Sequence, residues 1–107
     1  MQFSELIKDV KSIIFETKRA DNNDYFEAVI LNQEIEKLTI ILDRFFSLPV
    51  WPSKTGLTLQ IQEAIKGFGG ISQGQTLYFW GEEGQTIFVM LWPWSDGAHI
   101  TVKIVKK

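Results

Sequence analysis

The chain has 107 residues, no cysteine, an apolar fraction of 45% and a net charge of −2 at pH 7. This length and composition indicate one soluble globular domain over residues 1–107. The absence of cysteine excludes disulfides, thiol redox chemistry, cysteine nucleophiles and zinc–thiolate sites. The start lacks the pattern of a signal peptide, and the longest apolar run, residues 87–92, is far shorter than the roughly 18 residues of a membrane helix. We therefore expect a cytoplasmic protein with no membrane partner.

The N-terminal half predicts a helical hairpin. Apolar residues recur every three or four positions over residues 3–18, which is typical of an amphipathic helix. After a polar turn, Asp24 and Glu27 have the spacing of a capping box and predict the start of a second helix over residues 25–46. That helix would be apolar on two opposite sides, so we expect both sides to be buried.

Residues 47–56 hold Pro49 and Pro52 and predict an irregular connector that packs over the core. Beyond it, apolar residues at helical spacing over 58–68, followed by Gly69 and Gly70, predict a short third helix. A short strand over 57–61 that leads into a shorter helix is the alternative.

The last third predicts β-structure. Residues 76–80, 85–92 and 98–105 are rich in aromatic and β-branched side chains, and glycine-containing turns separate them. The expected fold class is α+β, with an N-terminal helical hairpin and a short third helix packed on a three-stranded antiparallel β-meander.

The hairpin turns also predict which side chains share a face of the sheet. Pairing Trp80 with Gln85 and Trp92 with Ala98 gives one wholly apolar face, which we assign to the core. The other face has a polar last strand but large apolar residues on the first two strands: Tyr78, Trp80, Ile87, Val89 and Leu91. A sheet face in water should be more polar than this, so its cover is either the chain's own helices, a second copy or another protein.

Among these covers we favour a second copy, which makes the chain a homodimer. Two further candidate binding residues are Trp51 and Trp94, because each tryptophan lies beside a proline in a predicted loop or strand end. Tryptophans in such positions can anchor a partner protein, although in a small domain they more often cap the core.

Catalytic and metal-binding signals are weak. His99 is the single histidine and follows Ser95 and Asp96, but a hairpin does not hold three such groups in a nucleophilic relay. The acidic segment 21–24 lacks the EF-hand spacing, and the glycines of 67–74 lack the phosphate-loop spacing. We therefore expect no enzyme activity, no catalytic residue, no metal site and no cofactor.

Residues 57–90 resemble the swapped-hairpin segment of AbrB/MazE-like proteins. The similarity lies in residues 59–66, in the Gly-Ile-x-x-Gly step at residues 70–74, and in the hairpin that follows. The resemblance implies two interlocked chains that bind DNA as a regulator or antitoxin, with Lys54 and Lys66 as phosphate contacts. Residues 67–102 contain no lysine or arginine and the pI is about 5.3, so nucleic acid is only the alternative partner.

The sequence thus favours a non-enzymatic, homo-oligomeric protein–protein interaction module. Its expected partners are a second copy of itself and an unidentified protein. The alternative is an AbrB/MazE-like DNA-binding regulator or antitoxin.

Overall fold

A five-stranded antiparallel sheet organises the computed structural model, which describes residues 1–82 and 84–107. The helices in this part of the chain are α1 (Phe3–Val10), α2 (Ile35–Phe46) and α3 (Leu59–Ile65), with 3-10 turns at Asn32–Glu34 and Lys66–Phe68. The strands are β1 (Thr17–Asp21), β2 (Tyr25–Leu31), β3 (Thr76–Glu82), β4 (Gln85–Pro93) and β5 (His99–Lys106). Their order across the sheet is β1-β2-β5-β4-β3. Of the predicted turn between β3 and β4, Glu83 lies outside the described residues.

The predicted helical hairpin is wrong. The first helix ends at Val10 rather than at residue 18, and residues 17–21 form β1 instead. The second predicted helix is a strand over Tyr25–Leu31 and a helix only from Ile35. The apolar run 28–31 fits a strand buried on both faces as well as it fits a helix buried on both sides, and here sheet pairing decides between them.

The predicted capping box is wrong, because Asp24 lies in a turn closed by Asn22 and Glu27 lies in β2. The side-chain oxygen of Asn22 accepts hydrogen bonds from the backbone N–H groups of Asp24 (3.2 Å) and Tyr25 (2.9 Å). The N–H of Asn22 in turn donates to the carbonyl of Tyr25 at 2.9 Å. Asparagine often closes a turn in this way, and the bonds connect β1 to β2.

The C-terminal predictions agree more closely with the structure. The third helix begins where the Thr58 hydroxyl accepts from the N–H of Ile61 at 3.3 Å, and its last turn ends at Gly69 in a left-handed conformation. The three predicted strands are present as β3, β4 and β5. The α+β class is confirmed, but the sheet has five strands because β5 also pairs with β2 along its length.

The β4–β5 register differs from the predicted one and exchanges the faces of β5. Trp80 pairs with Ile87, two residues from the predicted partner, which leaves the faces of β3 and β4 unchanged. Trp92 pairs with Thr101, three residues beyond Ala98, and an odd shift turns every side chain of β5 to the opposite face.

Both faces of the sheet are covered, one fully and one in part. The helices α1 and α2 pack on the first face, whose buried residues include Phe26, Val89 and Ile104. On the second face, α3 and the connector pack over β3 and β4, around Phe88 and Met90. Tyr25 of β2 and Val105 of β5 reach this cluster at one end of the second face, and among the described residues no α-helix packs on the rest of the β1, β2 and β5 half. No helix in the described part of the chain is long and apolar enough to cross a membrane.

Candidate functional site

The sheet face predicted to bind a partner lies in the core. Tyr78, Ile87, Val89 and Leu91 are buried, and Trp80 is half-buried against the same cluster. The cover is the chain's own α1 and α2, and the shifted register adds the apolar side chains of β5 to the same face. The expectation that this face is left for a second copy is therefore wrong.

Tyr78 connects this face to α2. Its hydroxyl donates to Asp43 at 3.0 Å, and its ring packs tilted against Phe46 with 5.6 Å between ring centroids. Burial raises the pKa of the Tyr78 hydroxyl, and the carboxylate that it faces raises it further. The residue fixes the position of α2 on β3.

Trp51 has a structural role in the connector. Its backbone forms an antiparallel bridge with Leu77 of β3, and its indole N–H donates to the carbonyl of Ser72 at 3.2 Å. The ring is half-buried among the apolar residues under α3. Trp51 thus holds the connector against the end of the sheet.

Trp94 is the predicted site residue that lies at the surface, with 39% of its area exposed. It follows β4 and folds back over the uncovered half of the second face. Its indole N–H donates to the Thr101 hydroxyl at 2.8 Å, and its ring stacks on His99 with 4.7 Å between centroids. The Arg19 guanidinium carbon lies 5.9 Å from the ring centroid. We call this region the Trp94 surface, formed by Glu16, Arg19, Trp94, Asp96, His99 and Thr101.

Two carboxylates hold His99 in place behind Trp94. Its Nδ1 lies 2.5 Å from Asp96 Oδ2 and its Nε2 lies 3.1 Å from Glu16 Oε1. The hydrogen bonds to Asp96 and Glu16 raise the pKa of His99. The pKa of Asp96 is lowered, first by the N–H of Ala98 and then by His99. Because both ring nitrogens are engaged, His99 has none free to act as a catalytic base.

The other charges near Trp94 are also compensated. Arg19 Nη1 lies 3.2 Å from Glu27 Oε2, and the Tyr25 hydroxyl donates to the same carboxylate. Burial alone would raise the pKa of Glu27, but these two hydrogen bonds and the charges of Lys103 and Arg19 together lower it. Farther along the same face, Lys103 Nζ lies 3.7 Å from the centroid of the Trp92 ring.

Sequence reasoning did not find Arg19 or Glu16 as neighbours of Trp94. Both were assigned to the first predicted helix and the turn after it, about 75 residues away along the chain. The alternation of residues 17–21 is too short and too polar to distinguish a strand from a loop, so no local signal places them here.

Lys54 and Lys66, the candidate phosphate contacts, are both exposed. Lys66 lines an open cleft of about 690 Å³ between the connector and α3, together with Trp51 and Gly69. Lys54 lies in the connector and does not line this cleft.

Among the described residues, no group of three or more histidine, aspartate or glutamate side chains is placed to hold a metal ion. Comparison of the chain with protein-family models, with curated proteins and with solved structures finds no match. The function of the Trp94 surface therefore has to be argued from its own geometry.

Proposed function

We propose that the protein is a non-enzymatic, homo-oligomeric protein–protein interaction module, and that the Trp94 surface is where it binds a different protein. The observation that carries the second part is the exposed ring of Trp94, held from behind by Thr101 and His99. Tryptophan and arginine are the residues most enriched among those that dominate binding energy, and Arg19 lies beside this ring.

The immobility of Trp94 supports the proposal. A side chain that is already fixed loses little conformational entropy on binding, and this raises the affinity that a given contact provides. The hydrogen bond to Thr101 and the stack on His99 fix the ring before any partner arrives. The His99 bridge to Glu16 and Asp96 in turn fixes the loop that carries Trp94.

The charge pattern indicates what kind of partner fits. Arg19 faces Glu27, and His99 faces Asp96 and Glu16, so the cations around the ring already have carboxylate partners. The attraction should therefore come mainly from burying the indole. We propose a partner protein with an apolar pocket for Trp94, and we expect its binding to change little with salt.

The test compares matched variants as bait in a lysate of the source cells treated with nuclease. We expect a specific protein to be retained by the wild type and lost with Trp94→Ala. Ile40→Ala is the control, because Ile40 is 63% exposed on α2 and lies outside the Trp94 surface. Far-UV circular dichroism should show that both variants are folded. A protein that Trp94→Ala retains as well as the wild type would contradict the role of this surface.

The same experiment tests the DNA-binding alternative. Binding to phosphate falls steeply as salt rises, whereas binding through an apolar ring does not. A partner recovered only without nuclease, released by moderate salt and lost on charge reversal at Lys54 and Lys66, would replace the proposal with the alternative.

A further inference from the structure

The strand β3 has an edge with unpaired backbone groups. It is the last strand of the sheet, and Leu77 faces outward: its N–H donates to Trp51 (3.1 Å) and its carbonyl accepts from the N–H of Val50 (2.8 Å). Alternate residues of a strand direct their backbone groups to opposite sides, so Phe79 and Gly81 face outward too. Among the described residues, neither has a hydrogen-bond partner on that side.

The opposite edge of the sheet is protected against pairing, whereas the connector covers the β3 edge only at Leu77. The strand β1 carries exposed Lys18, Arg19 and Asp21, and its pairing is irregular between Lys18 and Ala20. Charged side chains and irregular pairing are common ways to block an edge. The strand β3 has no lysine, arginine or proline, its one charged residue is Glu82 at its end, and it pairs with β4 without interruption.

Exposed leucines lie near both ends of the free edge. Leu48, 76% exposed, is two residues before Val50, which bonds to β3. Leu59, 78% exposed, is next to Gln60, whose amide nitrogen lies 3.8 Å from the place a Cβ would take on Gly81. Apolar side chains that flank a row of unpaired backbone groups favour a protein strand over water as its neighbour.

We propose that β3 pairs antiparallel with β3 of a second copy, around a twofold axis at Trp80. In this register Phe79 of each copy faces Gly81 of the other, and their N–H and C=O groups form four hydrogen bonds between the chains. The outward groups of Leu77 are already bonded to Trp51. Moving the twofold axis from Trp80 to Phe79 would therefore lose half of these bonds between the chains. The two copies then share one ten-stranded sheet whose outer edges are both the protected β1. Self-association is part of the proposed function, on which this assignment rests.

Introduced cysteines test the register, since the chain has none of its own. Facing residues of a non-hydrogen-bonded antiparallel pair have Cα atoms about 4.5 Å apart, so Trp80→Cys should form a disulfide across the axis on mild oxidation. In Glu82→Cys, the control, the two Cα atoms are about 14 Å apart from the rise per residue, so no disulfide should form.

A second variant tests the hydrogen bonds and keeps Trp80 in place. Gly81→Pro removes an outward N–H without touching the ladder to β4, and two of the four proposed bonds are lost. We expect the Kd of the dimer to rise about tenfold to hundredfold in sedimentation equilibrium. Circular dichroism should show that the variant is folded. If it is not folded, the cysteine pair decides the question alone.

The outcomes separate this assignment from the proposed function. A wild type that sediments as a dimer and crosslinks through Trp80→Cys but not Glu82→Cys supports the β3 edge. A dimer that crosslinks through neither cysteine, or through Glu82→Cys, overturns the β3 register and leaves self-association standing. A wild type that is monomeric at every concentration overturns both, without affecting the binding of another protein by Trp94.

Discussion

Gly69→Ala should destabilise the fold strongly because the site forbids a side chain for two independent reasons. Gly69 has a φ of +98°, which L-residues rarely adopt, and a Cβ there would lie 2.9 Å from Cη2 of the Trp92 ring. The ring is rigid, and Lys103 Nζ lies over it at 3.7 Å from the centroid, so moving it disturbs a second contact. We expect Gly69→Ala to lower the free energy of unfolding by about 1–3 kcal/mol through backbone strain and by about 1–3 kcal/mol more through the overpacked ring.

Gly74→Ala is the matched control. Gly74 also has a positive φ, +87°, but a Cβ there meets nothing within 4 Å. Gly74→Ala should therefore lower the free energy of unfolding only by the strain contribution of about 1–3 kcal/mol. Urea denaturation followed by tryptophan fluorescence gives the free energy of unfolding of both variants. Equal losses would refute the reasoning, because they would show that the Trp92 ring yields to the methyl group at no cost.

Three further predictions follow from contacts in the core and at the Trp94 surface. Val89→Lys places a charge in the centre of the covered face and should abolish cooperative unfolding in circular dichroism; a folded variant would contradict the position of this face. Tyr78→Phe removes the bond to Asp43 and should cost about 0.5–1.5 kcal/mol in urea denaturation; an unchanged midpoint would argue against that bond. Since the pKa of His99 is raised, its contribution to stability is complete below the ordinary histidine pKa and is lost as the pH rises through the raised value. His99→Gln should remove this dependence from unfolding midpoints measured over that range, and a wild type whose midpoint does not vary there would contradict it.

The part of the fold that could be predicted is the part whose signals are local. Glycine-containing turns and β-branched runs located β3, β4 and β5, and Thr58 with Gly69 and Gly70 bounded the third helix. These elements depend on neighbouring residues in the chain, so a single sequence contains the information for them.

The elements that were predicted wrongly depend on pairing between strands that are far apart in the chain. Residues 25–31 have an apolar pattern that fits both helix and strand, and the choice is made by pairing with β5, whose partner residues lie 68 to 80 positions later. The β4–β5 strands keep pairing beyond the predicted turn, with Pro93 opposite Ile100 and the Trp94 N–H bonded to the His99 carbonyl, and the register shift of three exchanged the faces of β5. That single error turned a core face into an expected interface. Trp94 was singled out as a candidate binding residue, but its neighbours Arg19 and Glu16 lie in and just before β1, a strand that was not predicted.

The position of β5 has a consequence for how the chain assembles. It pairs with β2 on one side and with β4 on the other, so the β1–β2 hairpin and the β3–β4 hairpin touch through it alone within the sheet. Closing the sheet therefore requires residues separated by most of the chain to meet, which slows folding. For the same reason, a chain cut in the connector at residues 53–56 gives two pieces, one with β2 and one with β5. The two pieces should reassemble into one functional protein by pairing β2 with β5.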